Sequence, residues 1–206
     1  MAPTRNGKLD YEGHATMSDY TTLPADLPAP RDDGAADHLP GLSMPRLSLA
    51  TSSGQRVDLG ALGPGRTIIY LYPRTAQPGV ELPPGWDDIP GARGCTPEAC
   101  GFRDHFADLQ AAGAAGVWGL SSQDPDYQDE AVRRLRLPFG MLSDPEFVLA
   151  DALNLPTFVA TGHDRLYSRL TLVIGDGVIE HAFYPVFPPD AHAQQVLDWL
   201  RANPRD

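Results

Sequence analysis

Cysteine is almost missing from this chain: 206 residues contain only two, Cys95 and Cys100. A disulfide-stapled scaffold is therefore excluded, and a chain of this length can bury one sizeable core without staples. Basic residues are scarce as well, 16 Lys and Arg against 27 Asp and Glu, for a formal net charge of −11. Such a field repels phosphate backbones and anionic lipid, so neither nucleic acid nor a membrane is an expected partner. No apolar run approaches the ~18 residues of a membrane span. The opening MAPTRNGKLDYEGHATMSDY lacks the apolar stretch of a signal peptide. These absences point to the cytoplasm, where two thiols are more often reduced, catalytic or incidental than bridged. No repeat of solenoid period is present, and the length favours a single domain.

Residues 1–40 are polar and rich in Pro, Asp and Ala. They are expected to wrap loosely or be disordered, with Met17 as an alternative start, ahead of a folded domain over 41–206. Order begins with a short strand at RLSLA (46–50), a polar turn and RVDLGAL, which leads to the apolar, β-branched TIIYLY (67–72), a buried strand. PRTAQPGVELPPGWDDIPGARG follows, 22 residues rich in Gly and Pro without periodicity. A loop of that length in a compact domain is usually functional.

Beyond it helix and strand alternate. Thr96 can cap a helix with Pro97 in its first turn, and Ala99, Phe102, Phe106 and Leu109 form its buried face. GAAG (113–116) stops that helix, VWGLSS (117–122) is a strand, and Asp124 with Pro125 opens a second helix carrying Tyr127, Ala131 and Leu135 on one face. A strand at FGML and a helix at PEFVLADALN come next. RLTLVIGDGVIEHAFYPV reads as a hairpin turning at Gly175, Asp176 and Gly177, and DAHAQQVLDWLRA as a closing helix. The expected fold class is α/β, a mixed central sheet flanked by helices on both faces.

GARGCTPEACGF places Cys95 at the first turn of a helix and Cys100 five residues on. In an intact helix the pair is separated by about 7.5 Å of rise and about 140° of rotation, with Cα atoms roughly 8 to 9 Å apart. A disulfide needs roughly 4.4 to 6.8 Å, so the two can join only if the first turns unwind. The helix N-terminus favours a thiolate at Cys95, and a residue one turn further in gains much less.

The segment YLYPR…PG…GCTPEACGFRDHFADL resembles the active-site region of peroxiredoxins of the bacterioferritin-comigratory-protein, or peroxiredoxin Q, class. The similarity extends through VWGLSSQD, LPFGMLSDPEFVLADALNLP and SRLTLVIGDGVIE, and so covers most of residues 45–200. The resemblance implies a thioredoxin-like fold with Cys95 as the peroxidatic cysteine and Cys100 as the resolving one, joined in an intramolecular disulfide during turnover. It further implies that Pro73 lines the site and that Arg169 contacts thiolate and peroxide. A hydrogen peroxide or organic hydroperoxide substrate, a reductant such as thioredoxin or a similar dithiol, a monomeric state and no cofactor or metal complete what it implies.

The chemistry suits those residue types. A thiolate cleaves a hydroperoxide by in-line attack on one oxygen, so the site must hold the anion, donate to the peroxide and stabilise the departing alkoxide. Arginine is permanently charged and forked, and serves all three ends. Arg103, on the cysteine helix, is a rival for this role. One departure from the family stands out. The Thr or Ser usually three residues before the peroxidatic cysteine is Ala92 here, and Tyr72 and Pro73 lie about fifteen residues too far upstream, so VELPPGWDDIPGARG is an insertion. Thr75, just after Pro73, is the candidate replacement hydroxyl, with backbone N–H groups as the alternative. Other readings remain. A copper-handling protein on this fold would want a spacing one residue shorter, with His163 or His181 as partner. A general disulfide oxidoreductase would want Cys-x-x-Cys, and a redox sensor would oxidise without turnover. His105 reads as a surface residue, Trp86 as loop packing and Trp118 as strand core. Asp126, Asp129 and Glu130 read as a solvated first turn.

Overall fold

TIIYLY forms the middle of the sheet because it is apolar, β-branched and free of Gly and Pro. In the computed structural model, which describes residue 20 and residues 22–205, it is strand β3 (Arg66–Leu71), buried at every position. The other strands of the main sheet are β1 (Ser48–Thr51), β2 (Arg56–Asp58), β4 (Ala114–Ser121), β5 (Met141–Ser143), β8 (Leu170–Gly175) and β9 (Val178–Phe183). A separate hairpin holds β6 (Thr157–Ala160) and β7 (His163–Tyr167). The order of the seven strands is β2-β1-β5-β4-β3-β8-β9. β4 runs parallel to β3 and β8 antiparallel, Ile68 pairing with both Val117 and Val173. The sheet is mixed, as expected.

Alternation along β3 divides the core in two. Ile69 and Leu71 point into one cluster, which takes in Leu149, Ala150 and Leu153 of helix α4 (Val148–Leu153). Ile68 and Tyr70 point into the other, against Ala99 and Phe102 of α1 (Cys95–Asp104), Leu109 of α2 (Phe106–Ala111) and Leu197 of α5 (His192–Ala202). The remaining helix, α3 (Pro125–Leu135), is capped by Asp124, which accepts from the Tyr127 N–H at 2.8 Å. Both cysteines belong to the second cluster. The helix that carries both cysteines is therefore packed against the sheet's core.

Several local expectations are corrected. The helix over Thr96 to Leu109 breaks at His105, whose Nδ1 meets the Gly101 carbonyl at 2.9 Å, and continues as α2. β4 already begins inside GAAG, because Gly113 at φ +104° ends the helix alone. α4 begins at Val148 and not at Pro145, with the Asp144 carboxylate accepting from the N–H groups of Val148 and Leu149 at 2.9 Å each. The β8–β9 turn is as expected, Asp176 and Gly177 both taking positive φ. Residues 22–40 were expected to wrap loosely or be disordered; here Ala36 and Leu39 enter the first core cluster. Met17 lies outside the described residues.

His192, at the start of α5, is fully buried, with Nε2 at 2.8 Å from Thr171 Oγ1 and Nδ1 at 3.0 Å from Gln195 Oε1. Burial pushes its pKa down to about 4. Its neutral ring supports the fold above the unfolded value near 6.5, and that support is lost as pH falls toward 4, where the unfolded chain binds the proton first. The loss amounts to roughly 2–4 kcal/mol. His192→Gln is expected to flatten the stability slope between pH 6.5 and 4, measured by denaturant unfolding.

Candidate active site

Strand β3 stops where Pro73, with no N–H to give the ladder, follows Tyr72. The chain turns there and brings Arg74 to line the same crevice as Cys95, where its backbone amide pulls the Cys95 thiol's pKa down. Cys95 is the first residue of α1 and is buried. The expected Thr96 cap is not used: the N-cap is Gly94 at φ +109°, and among the described residues no side chain caps the helix. A Cβ at Gly94 would stand 2.3 Å from Pro189 Cγ, so only glycine fits both conformation and space. The first intrahelical bond runs from Glu98 N to Gly94 O at 3.0 Å. The amides of Cys95 and Thr96 precede it, and Pro97 has none. The uncapped end thus directs N–H donors and a positive dipole end at the sulfur's surroundings.

Arg169, immediately before β8, is buried and closes the site from the opposite side. Its Nη2 lies 3.1 Å from Cys95 Sγ and 3.2 Å from the carbonyls of both Ala92 and Arg93, and its Nε donates to Gly91 O at 3.3 Å. Nη1 donates to the carboxylate of Glu98, which is also completely buried. One guanidinium therefore ties together the sulfur, the end of the insertion and an acid one turn into α1. Glu98 was not foreseen. An acidic residue in a helix's first turn is the ordinary complement of the dipole, and only burial sets this one apart.

Burial pushes the Cys95 thiol up, the Arg169 guanidinium and the Arg74 amide pull it down, and Glu98 pushes it up again. Burial likewise lifts Glu98 to about 7 in spite of Arg169. Arg169 can balance only one negative charge. When Cys95 is a thiolate, Glu98 therefore favours its acid form, and its oxygen Oε1, buried without a hydrogen-bond partner among the described residues, can carry the proton. Glu98→Gln is expected to lower the Cys95 pKa, because it removes the competing anion. Titration of the thiolate's ultraviolet absorbance measures it, and an unchanged or raised pKa contradicts this coupling.

Cys100 is half-buried on the same unbroken helix, and both cysteines are free thiols. Its neighbours are Arg103, Asp104 and Arg134; burial pushes this thiol up and Arg103 pulls it down. Arg103 also donates to Asp104 at 2.8 Å and to the Leu135 carbonyl at 2.9 Å. Each thiol thus has its own arginine. The structure brings together Cys95, Arg169 and the turn after Pro73, but not Thr75. Thr75 is fully buried and its hydroxyl donates to Gln123 Oε1 at 3.1 Å. Arg74 and Ala76, not Thr75, line the crevice over Cys95. Ala92 brings no hydroxyl to the site; its carbonyl accepts from Arg169 at 3.2 Å.

That crevice is about 10 Å³, room for an oxygen-sized group. It shares Tyr20, Leu82, Trp86 and Arg93 with an adjoining hollow of about 440 Å³ built largely by the insertion. Residues read as incidental fall elsewhere. His105 joins Gly101 and Gln194, Asp129 and Glu130 pair with Arg133 and Arg134, Trp86 packs near Phe158, and Trp118 is partly buried against the first core cluster. His163 meets Arg74 Nη1 at 2.7 Å and His181 stacks on Trp199 at 5.0 Å. Among the described residues no group of three or more His, Cys, Asp or Glu is placed to hold a metal ion.

This arrangement has counterparts among known proteins. Peroxiredoxin Bcp of Escherichia coli is 29% identical over 162 residues, 77% of this chain and 93% of its own length. The chloroplastic peroxiredoxin Q of Populus jackii is 28% identical over 163 residues, 79% of this chain and 68% of its own. The crystal structure of peroxidoxin BcpB from Mycobacterium tuberculosis superposes with a TM-score of 0.64 at 25% identity, over 82% of this chain and all of that one. With its thioredoxin-like fold and its Bcp and peroxiredoxin Q relatives, and with a match to the Redoxin family model over residues 39–197, the chain belongs to the Redoxin family.

Proposed function

We propose that the chain is a thiol peroxidase that reduces hydrogen peroxide and organic hydroperoxides with Cys95 as nucleophile. The observation that carries this reading is the Arg169 nitrogen 3.1 Å from a buried sulfur at an uncapped helix N-terminus. The Cys95 thiolate attacks the terminal peroxide oxygen, forming S–O as O–O breaks. The departing alkoxide, or hydroxide from hydrogen peroxide, takes a proton, and Arg169 with the helix-end amides stabilises the charge that develops. Cys95 is left as a sulfenic acid. The Cys100 sulfur attacks it once the first turns of α1 unwind, releasing water and forming the Cys95–Cys100 disulfide. An external dithiol, thioredoxin or a similar protein, restores both thiols by exchange. Pro73 ends the strand so that the Arg74 amide reaches the sulfur. Thr75 holds that turn, since its hydroxyl is spent on Gln123. We place the protein in the cytoplasm as a monomer; among the described residues no helix is long and apolar enough to cross a membrane.

The test is peroxide consumption by purified protein supplied with thioredoxin, its reductase and NADPH. Many turnovers per protein are expected. Consumption of one equivalent and no more would favour a redox sensor instead.

A further inference from the structure

We propose that Gln123 is a positioning residue for the peroxide step, acting through the Thr75 turn on the amide that faces the nucleophile. This rests on the reading of Cys95 as nucleophile. Gln123 lies between β4 and α3, and its own backbone is pinned at both ends: its N–H donates to Ser121 Oγ at 3.2 Å, and its carbonyl accepts from Ser143 Oγ at 2.7 Å. From that fixed base its side chain grips Thr75 at three points, with Ser121 Oγ also donating to Oε1 at 3.5 Å. Oε1 accepts from Thr75 N at 2.8 Å and from Thr75 Oγ1 at 3.1 Å, while Nε2 donates to Thr75 O at 3.2 Å. A backbone N–H and a backbone carbonyl can be met only by the oxygen and the nitrogen respectively, so the orientation of the amide is forced. Tyr127 Oη adds a second donor to the same carbonyl at 3.0 Å.

Thr75 is not in the crevice over Cys95, so holding it has no use in binding peroxide directly. Its neighbour Arg74 lines that crevice together with Cys95, and the Arg74 amide pulls the Cys95 pKa down. The clamp fixes the two peptide planes that follow Arg74, as Pro73 constrains the backbone that precedes it, and so helps to fix the direction of the Arg74 amide. In a loop of 22 residues rich in Gly and Pro, that restraint has to come from outside the loop, and β4 and α3 supply it.

The experiment is titration of the Cys95 thiolate together with rapid-mixing measurement of its oxidation by hydrogen peroxide, in the parent, Gln123→Leu and Tyr127→Phe. Gln123→Leu is expected to raise the Cys95 pKa by about one pH unit and to slow oxidation at neutral pH about tenfold, the effect of losing one amide hydrogen bond to the anion. Disulfide formation should keep its rate. Tyr127→Phe, which removes one hydroxyl, should shift both quantities the same way by less, and decides the matter should Gln123→Leu not fold. A lowered melting temperature with an unmoved Cys95 titration would show a merely structural clamp and overturn the proposal. A parent protein whose Cys95 neither titrates nor oxidises would instead overturn the reading on which it rests.

Discussion

Cys95→Ser is expected to abolish peroxide consumption, whereas Cys100→Ser should keep one fast turnover and accumulate a sulfenic acid on Cys95. The asymmetry follows from the two environments. Cys95 has the arginine at 3.1 Å, the Arg74 amide and the helix end. Cys100 lies five residues into an unbroken helix beside a different arginine, with neither the helix end nor the crevice. Removing the nucleophile leaves no covalent path, so the loss at Cys95 should reach the background of the assay. Removing the second thiol stops the cycle only after the first oxidation, so a burst of one equivalent precedes the stall. Stopped-flow oxidation with a sulfenic-acid trap separates the two. Equal loss of the burst in both variants would contradict the assignment.

Arg169→Met should slow the peroxide step by about 10²–10³-fold, the usual effect of removing one preorganised donor to a developing anion. The same substitution should raise the Cys95 pKa, because it takes away the fixed charge that offsets burial. The fold should survive. Methionine fills most of the space, and Glu98, already lifted to about 7, answers the loss of its cation by staying protonated. Arg103→Met is the control: its thiol neighbour is Cys100, so it should leave the first oxidation near the parent rate. A larger loss from the control would move the catalytic role to Arg103.

What could be read from the sequence was what rests on local pattern. TIIYLY announces a buried strand by composition, the Asp176-Gly177 turn by its tolerance of positive φ, and α3 by its Asp124-Pro125 start. Cys95 could be placed at a helix start because Thr, Pro and a spaced apolar face follow it. The features that escaped depend on distant partners. Thr75 looked like a hydroxyl for the peroxide, and only folding reveals Gln123, 48 positions away, as its partner. Glu98 is marked out by a guanidinium 71 positions on. Thr96 has good cap chemistry, but Gly94, pressed against Pro189, takes the N-cap position and makes the cysteine the first helical residue. β6 and β7 were not anticipated because TFVATGHDRLY breaks alternation, and the register shifts between Phe158 and Ala160.

The central claim is that the peroxide's oxidising equivalents pass from Cys95 to Cys100 within one chain. Mass spectrometry of the wild-type protein after one equivalent of hydrogen peroxide tests it most directly, with the peptide spanning residues 95–100 isolated and sequenced without reduction. The account predicts a monomeric chain lighter by two hydrogens, both thiols lost to alkylation and the bond located between Cys95 and Cys100. A chain that retains a free Cys100 thiol beside an oxidised Cys95, or that links instead to a second copy, would contradict it.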